Sequence, residues 1–148
     1  MKRENSVCFV VESVCFRDYL FEEFFERIHL TTRVIQNAGP GLDHLLEVEH
    51  PLIVLDLYIA PGLDFSDSAF NAYANDWASS DGDYHKIGLS LIDRLRNCSP
   101  NSSSPFLVLD ECPYFSDAVL ERKATAYSDL RRPRFDTLYE KVDRLLNH

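Results

Sequence analysis

Three carboxylates stand at the ends of apolar runs. Glu12 follows Ser6 to Val11 (Ser-Val-Cys-Phe-Val-Val), Asp56 closes the Leu-Ile-Val-Leu stretch of Pro51 to Leu57, and Asp110 follows Phe106 to Leu109. Runs apolar at every position predict strands buried on both faces, as in a parallel sheet covered by helices, and such sheets hold their chemistry outside the carboxyl ends of the strands. Carboxylates gathered there repel one another, and a proton or a divalent cation must relieve them. Oxygen ligands of this kind suit Mg²⁺, which takes one or two carboxylates and keeps several waters. Arg132, beyond a weaker strand signal, would reach the same rim from the side and could hold an anionic group placed on Asp56 or pair with Asp110. The plain alternative is that each acid caps the turn or helix after it. That reading is competitive for one residue and less so for three adjacent strand ends with a cation.

The elements that would position these residues alternate along the chain, which predicts an α/β fold. After the first strand, Asp18 to Ile28 carries Leu20, Phe21, Phe24, Phe25 and Ile28 at helical spacing, an aromatic stripe read as core packing. Thr31 to Ile35 is the second strand, Asn37-Ala38-Gly39-Pro40-Gly41 a turn, and Leu42 to about Glu49 a short helix. Pro51 to Leu57 is the third strand, ended by the Pro61-Gly62 break. Ile87 to Arg96 is helical, Cys98 to Pro105 a loop, and Phe106 to Leu109 the fourth strand. Ser116 to Thr125 is expected to be a helix capped by Ser116 with Asp117 in its first turn. Ala126 to Leu130 is the fifth strand, stopped by Pro133, and Phe135 to Leu146 is a terminal helix with Phe135, Leu138, Tyr139, Val142, Leu145 and Leu146 on one face. Right-handed crossovers with helices on both faces favour the doubly wound strand order 2-1-3-4-5, which sets Glu12, Asp56 and Asp110 side by side.

The 148 residues suit one domain spanning 1–148. Residues 58–86 break the rhythm, since connections in α/β units usually run about 2 to 6 residues. This insertion carries Asp64, Asp67, Asp76, Asp81 and Asp83 interleaved with Phe65, Phe70, Tyr73, Trp77 and Tyr84, so it is expected to fold back beside the Asp56 rim. Asp81-Gly82-Asp83 lacks the spacing and closing Glu of a calcium loop and reads as a turn. A net charge of -9 argues against nucleic acid, and Arg131-Arg132-Pro133-Arg134 forms neither a helix face nor a groove. Apolar stretches fall far short of a bilayer span, so no membrane is expected. The charged start Met1-Lys2-Arg3-Glu4-Asn5 does not read as a leader, so secretion is not expected, and Cys8, Cys15, Cys98 and Cys112 form no C-x-x-C pair; they read as reduced thiols of a cytoplasmic protein, Cys8 as a small buried hydrophobe.

Leu52-Ile53-Val54-Leu55-Asp56-Leu57, Gly88 to Arg96, Phe106-Leu107-Val108-Leu109-Asp110, and Arg132-Pro133 before the terminal helix resemble, in order and spacing, the receiver domain of two-component response regulators. The resemblance covers most of the chain apart from the insertion. It implies a flavodoxin-like three-layer sandwich, with Asp56 at the phosphoacceptor position as nucleophile toward a phosphoryl donor and a bound Mg²⁺ offsetting the charge. Glu12 matches one of the family's acidic pair, and the backbone carbonyl of Tyr58 falls at a metal-ligand position. The chain departs from the pattern where Val11 replaces the second acid, which weakens Mg²⁺ binding. Asp110 replaces the hydroxyl residue that hydrogen-bonds the phosphoryl group. Arg132 replaces the lysine, exchanging a point charge for a planar fork, and Asp129 stands at the aromatic switch position, with Tyr127 nearby.

Two functions follow from the resemblance. One is an atypical receiver-like module that keeps the fold and acts through protein–protein contact without the phosphoryl switch. The other is a stand-alone receiver, no output domain following His148, phosphorylated on Asp56 by a histidine kinase or phosphotransfer protein and passing the signal to a downstream partner. The substitution at Asp110 favours the first. Homodimerisation through the terminal helix and fifth strand is compatible with either. A metal-dependent hydrolase is disfavoured because Tyr58 stands where aspartyl-phosphate hydrolases carry a second aspartate, and no enzymatic activity is expected.

Overall fold

In a computed structural model, which describes residues 2–11, 23–60, 84–110, 115–127 and 135–147, the three apolar runs form the adjacent central strands of a five-stranded parallel sheet. The strands are β1 (Lys2–Arg3), β2 (Val7–Val11), β3 (Thr32–Gln36), β4 (Val48–Glu49), β5 (Leu52–Asp56), β6 (Phe106–Leu109) and β7 (Thr125–Tyr127). The helices are α1 (residues 23–27), α2 (Ala38–Leu45), α3 (Tyr84–Cys98), α4 (Ser116–Glu121) and α5 (Phe135–Leu146). The main sheet runs β3-β2-β5-β6-β7, the order expected for a doubly wound fold.

Every residue of β2, β5 and β6 is buried, because both faces of these strands are covered. On one face Cys8, Val10, Ile53, Leu55, Phe106 and Val108 pack against Leu42 and Leu45 of α2, Ile87, Leu91 and Leu95 of α3, and Val119 of α4. On the other, Val7, Phe9, Val11, Leu52, Val54, Leu107 and Leu109 meet Phe24 and Phe25 of α1 and Leu138 and Val142 of α5. Full burial of each such side chain contributes about 1.5–3 kcal/mol. The aromatic stripe therefore packs as core, with Phe25 edge-on to Phe9 at 5.3 Å. Its Leu20 and Phe21 lie outside the described residues.

The structure corrects several sequence expectations. Gly39-Pro40-Gly41 is not a turn: α2 begins at Ala38 and runs through it. A proline in the first helical turn loses no intrahelical bond, and the turn is made one residue earlier by Asn37, at φ 73°. Gly41 is required by packing, since a Cβ there would lie 2.6 Å from Val10 Cγ1. The helix ends at Leu45, not Glu49. Val48 and Glu49 instead pair in parallel with Lys2 and Arg3 as a second, two-stranded sheet, an element too short to leave a periodic signal.

Ser116 is the first helical residue of α4 and not its cap; Phe115 occupies that position with no side-chain cap bond. This helix stops at Glu121, because Lys123 turns left-handed (φ 58°) and the amides of Lys123 and Ala124 donate to Leu120 O and Val119 O. Thr125 is thereby freed to begin β7, which occupies Thr125–Tyr127 in place of the expected start at Ala126. Helix α3 extends beyond the expected Ile87 to Arg96 at both ends, so Tyr84, assigned to the insertion, belongs to a helix. On α5, Tyr139 is exposed and not part of the packed face. No helix among the described residues is long and apolar enough to cross a membrane.

Candidate functional site

The carboxyl ends of the central strands are level with one another. Val10 is in register with Leu55, and Asp56 with Leu109, so Val11, Asp56 and Asp110 arrive together at one edge. Backbone hydrogen bonds fix this edge. Leu57 N–H donates to Leu109 O at 3.0 Å, Asp110 N–H to Tyr127 O at 3.1 Å, Asn37 N–H to Val11 O at 2.9 Å, and Ala38 N–H to Ala60 O at 2.9 Å. Leu57 and Ile59, just past β5, are fully buried and hold the outgoing chain against the core.

Helix α3 approaches the same edge without clearance. A Cβ on Gly88 would collide with the Leu57 carbonyl, so only glycine lets the helix lie against the backbone one residue past Asp56. The sequence showed a glycine in a helical segment but not its neighbour, which is remote in the chain.

Asp56 is 3% exposed and Asp110 1% exposed, at neighbouring strand ends. Two carboxyl groups are thus sequestered from bulk water at adjacent strand ends. Tyr58 leaves its side chain half exposed while its backbone follows directly from Asp56. The oxygen donors of Asp56, Asp110 and the Tyr58 backbone suit a hard cation such as Mg²⁺ in type, while the Val11 side chain contributes no donor. Glu12, Arg132 and Asp129 lie outside the described residues, as do the Asp81-Gly82-Asp83 turn and most of the insertion, residues 61–83. The structure thus brings together two of the three predicted strand-end acids, Asp56 and Asp110.

Sequence reasoning missed a second group of chemistry-bearing side chains, Cys8, His44 and His50, which lies at the opposite, amino-terminal end of the strands. These residues fall on β2, on α2 and in the connection between β4 and β5, and no local motif joins them. The nearest sequence signal is that Cys8 and His50 each stand close to the start of a buried strand.

The sheet order with helices on both faces is the fold of the response-regulator receiver domains among solved structures. The response regulator TrrA of Thermotoga maritima, in complex with Mg²⁺ and beryllium fluoride, is 18% identical with a TM-score of 0.65, over 99% of this chain and 100% of that one. Chemotaxis protein CheY4 of Vibrio cholerae is 13% identical with a TM-score of 0.62, over 97% and 100%. A receiver domain of a sensor histidine kinase from Pseudomonas aeruginosa, with magnesium in its active-site cleft, is 11% identical with a TM-score of 0.65, over 98% and 100%. No family model and no curated protein matches the sequence.

Proposed function

We propose that this chain is an atypical receiver-type signalling module that works through contact with a protein partner, with Asp110 withholding Asp56 from phosphoryl switching. The observation that carries this reading is the burial of Asp110 at the strand end beside Asp56. A receiver needs a hydrogen-bond donor there for the phosphoryl oxygens. An ionised carboxylate offers only acceptors and adds negative charge where a phosphoryl group would bring more. The module is a single-domain binding protein and not an enzyme, cytoplasmic, with the acidic aromatic segment between β5 and α3 as a second contact for its partner.

The second reading, a receiver phosphorylated on Asp56 by a histidine kinase or phosphotransfer protein, is favoured by the burial of Asp56 at the carboxyl end of a central strand. In that reading Glu12, Asp56 and the Tyr58 carbonyl would hold Mg²⁺ weakly and Arg132 would pair with the phosphoryl group. When bound, the ion would offset the charge of the phosphoryl oxygens.

Incubation with a small phosphodonor and Mg²⁺, followed by intact mass measurement, separates the two. The expected result is no adduct on the wild-type chain and an adduct on Asp110→Ser that disappears in the Asp110→Ser, Asp56→Asn double variant. Relief of one neighbouring charge is expected to speed labelling at least about tenfold, about 1.4 kcal/mol in barrier. A wild-type adduct abolished by Asp56→Asn establishes the second reading instead.

A further inference from the structure

At the amino-terminal end of the strands, remote from Asp56, the ligand atoms of Cys8, His44 and His50 all lie within 4.8 Å of one another. Cys8 is the second residue of β2, His44 sits in the last turn of α2, and His50 leads into β5. The two imidazoles meet at 2.7 Å, Nε2 to Nε2. The geometry points to a transition-metal site at this junction, a Cys-His₂ set for Zn²⁺ with the fourth position open to water.

Three features of the surroundings support it. First, His50 Nδ1 faces the Ser6 carbonyl oxygen at 2.9 Å, so the ring proton resides on Nδ1 and the Nε2 lone pair points into the cluster. A carbonyl that fixes tautomer and ring orientation in this way is the usual outer partner of a metal-bound histidine. Second, the segment carrying both histidines is clamped by Asn101, which is fully buried. Its side chain accepts from His50 N–H at 3.0 Å and donates to Leu45 O at 2.7 Å and Val48 O at 2.8 Å, and Ser104 Oγ donates to its oxygen at 2.9 Å. Third, the donor set is one thiol and two imidazoles, the borderline-soft combination that selects Zn²⁺ over Mg²⁺ or Ca²⁺.

A tetrahedral ion with Zn–N distances of ~2.0–2.1 Å separates two nitrogens by about 3.3 Å. The imidazoles need to part by only about 0.6 Å to admit it. His44 is partly exposed, and Glu4, which lines a surface cleft with Ser6, Thr32 and Arg33, has Oε2 3.9 Å from His50 Nε2, so an ion can reach the cluster from outside. Binding breaks the Cys8 S–H bond, with that proton released to solvent, and moves the His44 ring proton from Nε2 to Nδ1, so that the His44–His50 hydrogen bond gives way to three metal bonds. The ion would tie α2 to the two central strands β2 and β5.

The test titrates the metal-free chain with Co²⁺ and then Zn²⁺. The expected result is a thiolate-to-cobalt charge-transfer band in the near ultraviolet that saturates at about one equivalent, as one three-ligand site requires. Zn²⁺ should remove the band and excess Mg²⁺ should not. Cys8→Ser should abolish it. His44→Gln, at a partly exposed helical position chosen to keep the fold, should weaken Zn²⁺ binding at least about tenfold. Zn²⁺ should raise the melting temperature of the wild-type chain and leave that of His44→Gln unchanged. No band at saturating Co²⁺, a band that survives Cys8→Ser, or wild-type Zn²⁺ affinity in His44→Gln would overturn the site and leave the cluster a structural hydrogen bond.

Discussion

Glu4 illustrates how much one surface carboxylate depends on its neighbours. Arg33 grips it through two hydrogen bonds of 2.6 Å each, from Nε and Nη2, and Ser6 Oγ donates to it at 2.7 Å. The Arg33 hydrogen bond foremost, then that of Ser6, lowers its pKa from 4.5 to about 2. A depressed folded value means that the stabilisation is fully present above about pH 4.5 and is lost as pH falls toward 2. The Arg33 side chain is about half and the Glu4 side chain about a third open to water, so the pair contributes only about 0.5–1 kcal/mol. Glu4→Gln should lower stability by that amount at pH 6, with the difference closing at pH 2, as read by urea denaturation at each pH. Burial acts oppositely on Cys8, whose thiol is pushed up to about 12 chiefly by desolvation, so without a metal it stays a neutral core group. The position of Asp56 was legible at this scale because an uninterrupted apolar run marks a strand buried on both faces and an acid closing it stands at the strand's carboxyl end. Cys8, His44 and His50 were not, because each alone is an ordinary buried or half-buried side chain.

At the level of elements, the helices are placed by what they are allowed to touch. Gly88 lets α3 lie directly on the Leu57 carbonyl, one residue past Asp56. Gly88→Ala should therefore destabilise the chain by about 1–3 kcal/mol through overpacking against rigid backbone. On an exposed helix surface the same change would stabilise by about 1 kcal/mol. The midpoint of urea denaturation distinguishes these signs directly. Arg96 does comparable work at the other end of α3, donating to the carbonyls of Ser102, Ser104, Arg122 and Lys123 while lying over the Phe106 ring at 4.6 Å. The helix itself was readable from its apolar spacing. Its anchors were not, because carbonyl partners leave no trace in residue type.

Across the whole molecule, the layers grade stability from the sheet centre outward. Strand β5 is hydrogen-bonded to β2 on one side and β6 on the other, with every side chain buried, whereas β3 is an edge of the sheet with Val34 exposed. Native-state hydrogen exchange should find the amides of Val54 and Leu55 at least about tenfold slower than those on the open side of β3, because edge strands open without unfolding the core. Comparable rates in the two strands would mean that the sheet opens as one unit. The sequence alone determined the strand runs, the alternation with helices, the doubly wound order and the position of Asp56, because burial on both faces demands uninterrupted apolar residues and parallel crossovers admit few topologies. Only the tertiary structure decided that Gly39-Pro40-Gly41 lies inside a helix, that Val48–Glu49 pairs with Lys2–Arg3, and that a thiol and two imidazoles converge at the far end of the strands. These features depend on which surfaces meet across long stretches of chain, and residue periodicity records burial without naming the partner.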